Sequence, residues 1–259
     1  MIAGGQTQQI RLSLRDIAEN QAVEILYACE SGSRAWGFES TDSDWDIRFI
    51  YRRPIEAYLR LFPERDTIER MDDPLDFAGW DLLKTLRLAA KSNPALLEWL
   101  RSPIVYAETP IVARLRDLME AFDPSAVMHH YVNVAERQVK AYWHPGKPVR
   151  FKKYFYAIRP LMCVTWMTSH GHAMPPVSFH ELRAQVELPE PAAGELEALL
   201  QMKATSTEIG GAGRFAALDR LIDDGLKQGR ELAEGAPRHQ PSIDALQALF
   251  ISEVHASRS

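Results

Sequence analysis

The stretch Ser43-Asp44-Trp45-Asp46-Ile47-Arg48-Phe49-Ile50-Tyr51 constrains the fold more than any other part of the chain. Trp45, Ile47 and Phe49 stand at alternate positions, which is the period of a β-strand and not of a helix. A strand from about Trp45 to Tyr51 turns those three side chains to one face and sets Asp46, in step with Asp44, on the other. One face is apolar and the other acidic. Carboxylates two residues apart repel each other unless water or a cation separates them, so the stretch is either a solvated acidic turn or a cation site.

Hard cations prefer oxygen ligands, and magnesium keeps positions open for phosphate, so two carboxylates side by side on a strand suit it well. A calcium EF-hand loop is excluded, because Ile47 and Arg53 stand where that loop needs Gly and Glu. Asp42 shares the alternate register but falls in a Ser-Thr-Asp-Ser turn, which it is expected to cap. Upstream, Val23 to Cys29 reads as a strand, and Gly32-Ser33 follows its C-terminal end. Gly32 allows close approach of the backbone to a phosphate, and Ser33 can donate a hydrogen bond to one where a helix begins. The chain has no Walker-type P-loop and no dinucleotide fingerprint.

Beyond this pair of strands, Leu12 to Asn20 reads as a helix and Ile55 to Leu61 as a helical turn. Asp66 to Met71 and Leu75 to Trp80 read as strands split by the turn Asp72-Asp73-Pro74. Asp81 and Asn93 are N-caps of two helices, the second with Pro94 in its first turn. Ile104 to Tyr106 is a further short strand. From Pro110 onward the spacing is helical, over Pro110 to Phe122, Pro124 to Trp143, Phe151 to His170, Glu195 to Thr205, Arg214 to Glu234 and Ser242 to Val254, with linkers rich in Pro and Gly. The expected class is α/β of the α+β kind: a small mixed-sheet domain over 1–108, a helical domain over 109–259, and a site in the cleft between them.

With 46% hydrophobic and 25% charged residues, the 259-residue chain has the composition of an ordinary globular protein. It lacks an apolar run of about 18 residues and an N-terminal apolar segment of secretory type, so no membrane association and a cytoplasmic location are expected. A net charge of -5 argues against a surface that grips nucleic acid everywhere. Cys29 and Cys163 are expected as buried thiols, and His170-Gly171-His172 as a helix terminus and not a zinc site.

Gly32-Ser33, then ten residues, then Asp44-Trp45-Asp46 resembles the Gly-Ser and Asp-x-Asp signature of the DNA polymerase beta nucleotidyltransferase superfamily. The longer run Gly-Ser-Arg-Ala-Trp-Gly-Phe, with Gly79-Trp80-Asp81-Leu82, Lys91-Ser92-Asn93-Pro94 and the later Lys153 to Pro160 segment, is similar to its RNA repair pathway DNA polymerase beta branch. The resemblance implies that Gly32 and Ser33 hold nucleotide phosphates, that Asp44 and Asp46 bind two magnesium ions, with manganese as the alternative, and that an acidic residue on a neighbouring strand completes the site. Alternation selects Asp76 for that third position, with Asp81 as its rival. Arg34 is either a phosphate-neutralising cation or an ordinary surface arginine. The implied reaction moves a nucleoside monophosphate from a nucleoside triphosphate to a hydroxyl, with an RNA end as the favoured acceptor. The alternatives are a protein or small-molecule acceptor, or a nucleotide-binding module without turnover.

The segment Pro145 to Pro160 interleaves Lys147, Arg150, Lys152, Lys153 and Arg159 with Phe151, Tyr154, Phe155 and Tyr156. Cations that meet phosphates and rings that stack on bases fit a nucleotide or acceptor surface. Aromatic residues at helical spacing equally fit a core. Lys153, Tyr154 and Arg159 are the nucleotide-binding candidates.

Overall fold

The computed structural model describes residues 4–39, 43–205 and 212–256; Asp42 and its expected turn lie outside them. In chain order the elements begin with α1 (Gly4–Gln21), β1 (Glu24–Glu30), α2 (Gly32–Trp36), β2 (Trp45–Arg52), α3 (Ile55–Tyr58), β3 (Thr67–Asp72) and β4 (Leu75–Asp81). Next come α4 (Leu82–Ala89), α5 (Pro94–Leu100), β5 (Val105–Glu108) and α6 (Ile111–Met119). The remainder is α7 (Pro124–Tyr142), β6 (Val149–Arg150), α8 (Phe151–Ser169), α9 (Phe179–Gln185), α10 (Glu190–Thr205), β7 (Ala212–Gly213), α11 (Ala216–Gly235) and α12 (Ile243–Ala256).

The chain forms two compact units. One comprises Met1–Ala35, Asp44–Phe122 and Gln240–Ser259, and the other Trp36–Ser43 and Asp123–His239. The first holds a five-stranded sheet of order β3-β4-β2-β1-β5. β2 runs parallel to β4, while β1 with β2, β1 with β5 and β3 with β4 are antiparallel, so the sheet is mixed as expected. Alternation is obeyed in β4, where Leu75 and Phe77 are buried and Asp76, Ala78 and Trp80 half-buried. α1 lays Ile10, Leu14 and Ile17, spaced for one helix face, against Ile47, Phe49, Tyr51, Leu75 and Phe77. The opposite face of β2 and β4 carries Asp46, Arg48 and Asp76 at one end, with Ile50 and Trp80 farther along.

Local capping follows the sequence. The Asp81 side chain accepts from the Leu83 N–H and opens α4, and the Asn93 side chain accepts from the Leu96 N–H with Pro94 in the first turn of α5. α12 joins the sheet unit, packing on α4 and α6, whereas the sequence-based boundary at 108 groups residues 109–259 together. The physical tie is Arg52 of β2, which pairs with Glu24 on β1 and donates to both the carboxylate and the carbonyl of Glu253 on α12.

The second unit is built on α7, α8 and α11, which pack on one another, with α9, α10 and a two-stranded ladder of β6 and β7. α9 occupies Phe179–Gln185, a stretch without a predicted element; the Ser178 side chain caps it by accepting from the Glu181 N–H. Trp36 and Phe38 belong to this unit and pack against Tyr156, and against Phe155 and Phe179. Among the described residues no helix is long and apolar enough to cross a membrane.

Candidate active site

The parallel ladder between β2 and β4 places Asp46 directly opposite Asp76. Both point to the polar face, because their neighbours Ile47 and Phe77 are claimed by the core. Their carboxylates converge on one atom: Nη2 of Arg48 lies 2.8 Å from Asp46 Oδ1 and 2.9 Å from Asp76 Oδ2. Arg48 Nη1 donates to the Asp76 carbonyl at 3.1 Å and the Ile47 carbonyl at 3.3 Å. Arg48 was not among the sequence candidates, although its alternate position places it on the same face as Asp46.

The backbone around Asp46 is fixed from β1. Its N–H donates to Glu30 Oε1 at 2.8 Å, and its carbonyl accepts from the Ser31 N–H at 2.9 Å. Glu30 is fully buried, and its Oε2 accepts from the Tyr106 hydroxyl at 2.5 Å. Burial pushes the Glu30 carboxyl up to about 7, against the downward pull of these two hydrogen bonds. Glu30 was also missed; the available signal is a glutamate directly after the apolar run Ile25 to Cys29, where a charged group needs dedicated partners.

Gly32 opens α2 with φ at +60°, a conformation that side-chain-bearing residues rarely adopt. A Cβ at this position would stand 2.1 Å from Asp46 Oδ2. The glycine therefore lets the loop close directly over the carboxylate. Ser33 follows it and is buried. The Arg34 guanidinium lies 3.9 Å from the centre of the Trp45 ring, and its Nε donates to the Asp44 carbonyl at 3.1 Å. Asp44 is exposed and immediately precedes β2.

Asp81 is not brought to this cluster. Its partner across the ladder is Tyr51, five residues along both strands, or roughly 16 Å at the usual rise. Its carboxylate accepts from Leu83 N–H and from the Tyr58 hydroxyl at 3.0 Å, and burial raises its pKa. It serves the start of α4.

Lys153, Tyr154 and Arg159 all lie on α8 in the helical unit. Tyr154 is fully buried; its hydroxyl donates to Asp219 Oδ1 at 2.9 Å and accepts from the Phe215 N–H at 3.1 Å. Its ring meets Trp143 and Phe215 edge-on, so it is a packing residue and offers no face to a base. Arg159 is only 3% exposed, 4.5 Å from the centre of the Trp36 ring, with Nη2 donating to the Val177 carbonyl at 3.2 Å. Lys153 is half-buried, its ammonium 4.1 Å from the Tyr142 ring centre. Core packing takes Tyr154 and Arg159 inside, whereas Lys153 stays half-buried and Lys147 and Arg150 are exposed.

The donor set at Asp46 and Asp76 suits a hard divalent cation, because two carboxylate oxygens already face a shared positive centre. That centre is now the protein's own guanidinium. Among the described residues no three His, Cys, Asp or Glu side chains gather closely enough to hold a metal together.

The family description that matches the chain is "RNA repair pathway DNA polymerase beta family", over residues 7–252. The uncharacterized protein YcgL of Bacillus subtilis is 44% identical over 230 residues, covering 88% of each chain. A crystal structure of a nucleotidyltransferase-like protein from Exiguobacterium sibiricum aligns over 95% of this chain and 80% of that one. The two share 11% identity, with a TM-score of 0.32. With nearly its whole length matched, the chain belongs to the RNA repair pathway DNA polymerase beta family.

Proposed function

We propose that this protein transfers a nucleoside monophosphate from a nucleoside triphosphate to a hydroxyl acceptor in a magnesium-dependent reaction that releases pyrophosphate. The acceptor is proposed to be an RNA end. The observation that carries the reading is the pairing of Asp46 with Asp76 in the parallel ladder, with both carboxylates turned to one cationic point beneath the Gly32 turn. Asp46 and Asp76 would hold a cation between them, magnesium or manganese in its place, and Asp44, which does not gather with them in the folded chain, is proposed to contribute to a second. Bound there, they would lower the pKa of the attacking hydroxyl and offset charge on the phosphate oxygens.

The residues of the chain supply position. Glu30 and Ser31 hold the Asp46 backbone from both sides. Gly32 and Ser33 bring a helix start, with its outward N–H groups, next to that carboxylate, where a phosphate would be received. Arg34 adds a positive charge at the start of β2, and Asp76 receives the proton of the attacking hydroxyl or shares in cation binding. Phosphoryl chemistry of this type rests on positioning and electrostatics more than on covalent participation by side chains.

The test is incubation with α-labelled nucleoside triphosphates and magnesium in the presence of RNA oligonucleotides, proteins and aminoglycoside-type small molecules in separate arms. Label should pass to RNA and be lost in Asp46→Asn and in Asp76→Asn. Transfer at the wild-type rate by either variant would refute the site. Label on protein or small molecule alone would refute the acceptor.

A further inference from the structure

Arg48 stands where the reading above requires a metal ion. One nitrogen, Nη2, is within hydrogen-bond distance of both Asp46 Oδ1 and Asp76 Oδ2, and Nη1 anchors the guanidinium to the Asp76 and Ile47 carbonyls. A magnesium ion binds carboxylate oxygen at about 2.0–2.1 Å. A cation bridging these two oxygens at that range would have to enter the space Nη2 fills, against a like charge. The side chain is 18% exposed and the carboxylates 29% and 31%, so all three groups reach solvent.

From this we infer that Arg48 is an internal counter-ion exchanged for the divalent cation: it holds Asp46 and Asp76 together in the metal-free protein and is displaced when the cation binds. The inference rests on the metal-dependent reading of the same site. Arg48 is then a positioning residue with two opposed effects. It prevents repulsion between the carboxylates in the metal-free state, and it weakens the intrinsic affinity of the site for a cation. The guanidinium charge opposes a second cation in the same space, and its removal is expected to tighten cation binding about tenfold or more.

The experiment measures Mn2+ binding to the full chain by loss of the free-ion electron paramagnetic resonance signal, with thermal unfolding recorded with and without Mn2+. Wild type is compared with Arg48→Gln, Arg48→Lys and Asp46→Asn. Arg48→Gln should bind Mn2+ about tenfold or more tightly, melt lower than wild type without metal, and gain more from added Mn2+. Arg48→Lys, which keeps a charge but not the fork, should fall between the two and covers the case in which Arg48→Gln does not fold. Equal or weaker binding by the Arg48 variants, with Asp46-dependent binding intact in wild type, would overturn this inference alone. Absence of Asp46-dependent binding in every protein would overturn both it and the metal-dependent reading.

Discussion

Replacing Gly32 by alanine tests whether the absence of a side chain at the turn is what seats Asp46. Two separable effects are expected. The first is backbone strain: Gly32 has φ at +60°, and an L-residue in the left-handed region costs about 1–2 kcal/mol. The second is steric. The added Cβ would lie 2.1 Å from Asp46 Oδ2, with Asp46 Cγ at 3.0 Å, so the carboxylate must retreat by nearly an ångström before the contact becomes tolerable. Its other oxygen is held by Arg48, and its N–H by Glu30, so the movement distorts the whole cluster. A misplacement of about 1 Å costs on the order of 100-fold in rate. Gly146 is the control, because it has φ at +70° with nothing within 4 Å of an added Cβ. Gly146→Ala should lose about 1–2 kcal/mol of urea-unfolding stability and keep its rate of pyrophosphate release. Gly32→Ala should lose at least as much stability and about 100-fold in rate. A Gly32→Ala variant that is folded and turns over within a few-fold of the wild-type rate would refute the reasoning.

Other outcomes follow from the same geometry. Asp81→Ala should cost about 1–2 kcal/mol through loss of the α4 cap and the Tyr58 bond and leave transfer measurable, whereas Asp76→Asn should remove transfer with little change in the denaturation midpoint. Tyr154→Phe breaks the bonds to Asp219 and Phe215 and should lower stability by about 1–2 kcal/mol with the KM for triphosphate unchanged; a raised KM would restore Tyr154 as a nucleotide contact. Glu30 faces Tyr106, Asp46, Cys29 and Arg34, and its carboxyl is raised from 4.5 to about 7 in the folded protein. A group raised on folding contributes stability that is complete below about pH 4.5 and lost as pH rises through 7. Glu30→Gln should therefore flatten the fall in stability across that window, by on the order of 2–3 kcal/mol, in urea titrations at several pH values; an unchanged slope would show that Glu30 does not titrate there.

Much of the sheet unit is legible because its signals are local. Alternation in Trp45 to Phe49, the Asp73-Pro74 turn, and the caps at Asp81 and Asn93 are each decided within a few residues, and each matches the folded chain. The pairing of Asp46 with Asp76 is a different matter. Alternation puts Asp76 on a polar face, but only the parallel register, set by the whole β2–β4 ladder, brings it opposite Asp46. Glu30 is hidden for the same reason, since the partner that makes its burial tolerable is Tyr106, far along the chain. Arg48 sits between apolar neighbours and reads as part of an ordinary strand until the two carboxylates close on it. On α8, charge and aromatic content carry no information about which residues the neighbouring helices cover, and Tyr154 and Arg159 are taken inside. The assignment of α12 to the sheet unit depends on Arg52 meeting Glu253, which no local pattern announces.

Arg52 and α12 give the sheet unit a particular history on the ribosome. Its strands are all made by residue 108, but the helix that packs on α4 and α6 follows only after residues 123–239 of the other unit. At about 5–20 residues per second, translation of that intervening segment takes on the order of ten seconds. During it every residue of the β2–β4 ladder and of the Arg52–Glu24 pair has been made, while Glu253 and the α12 helix that packs on α4 and α6 in the folded chain have not. The interval is when a chaperone would have most to protect, and a stalled or truncated message would release a chain that has every strand of the sheet and lacks the helix that packs on its α4 and α6 flank.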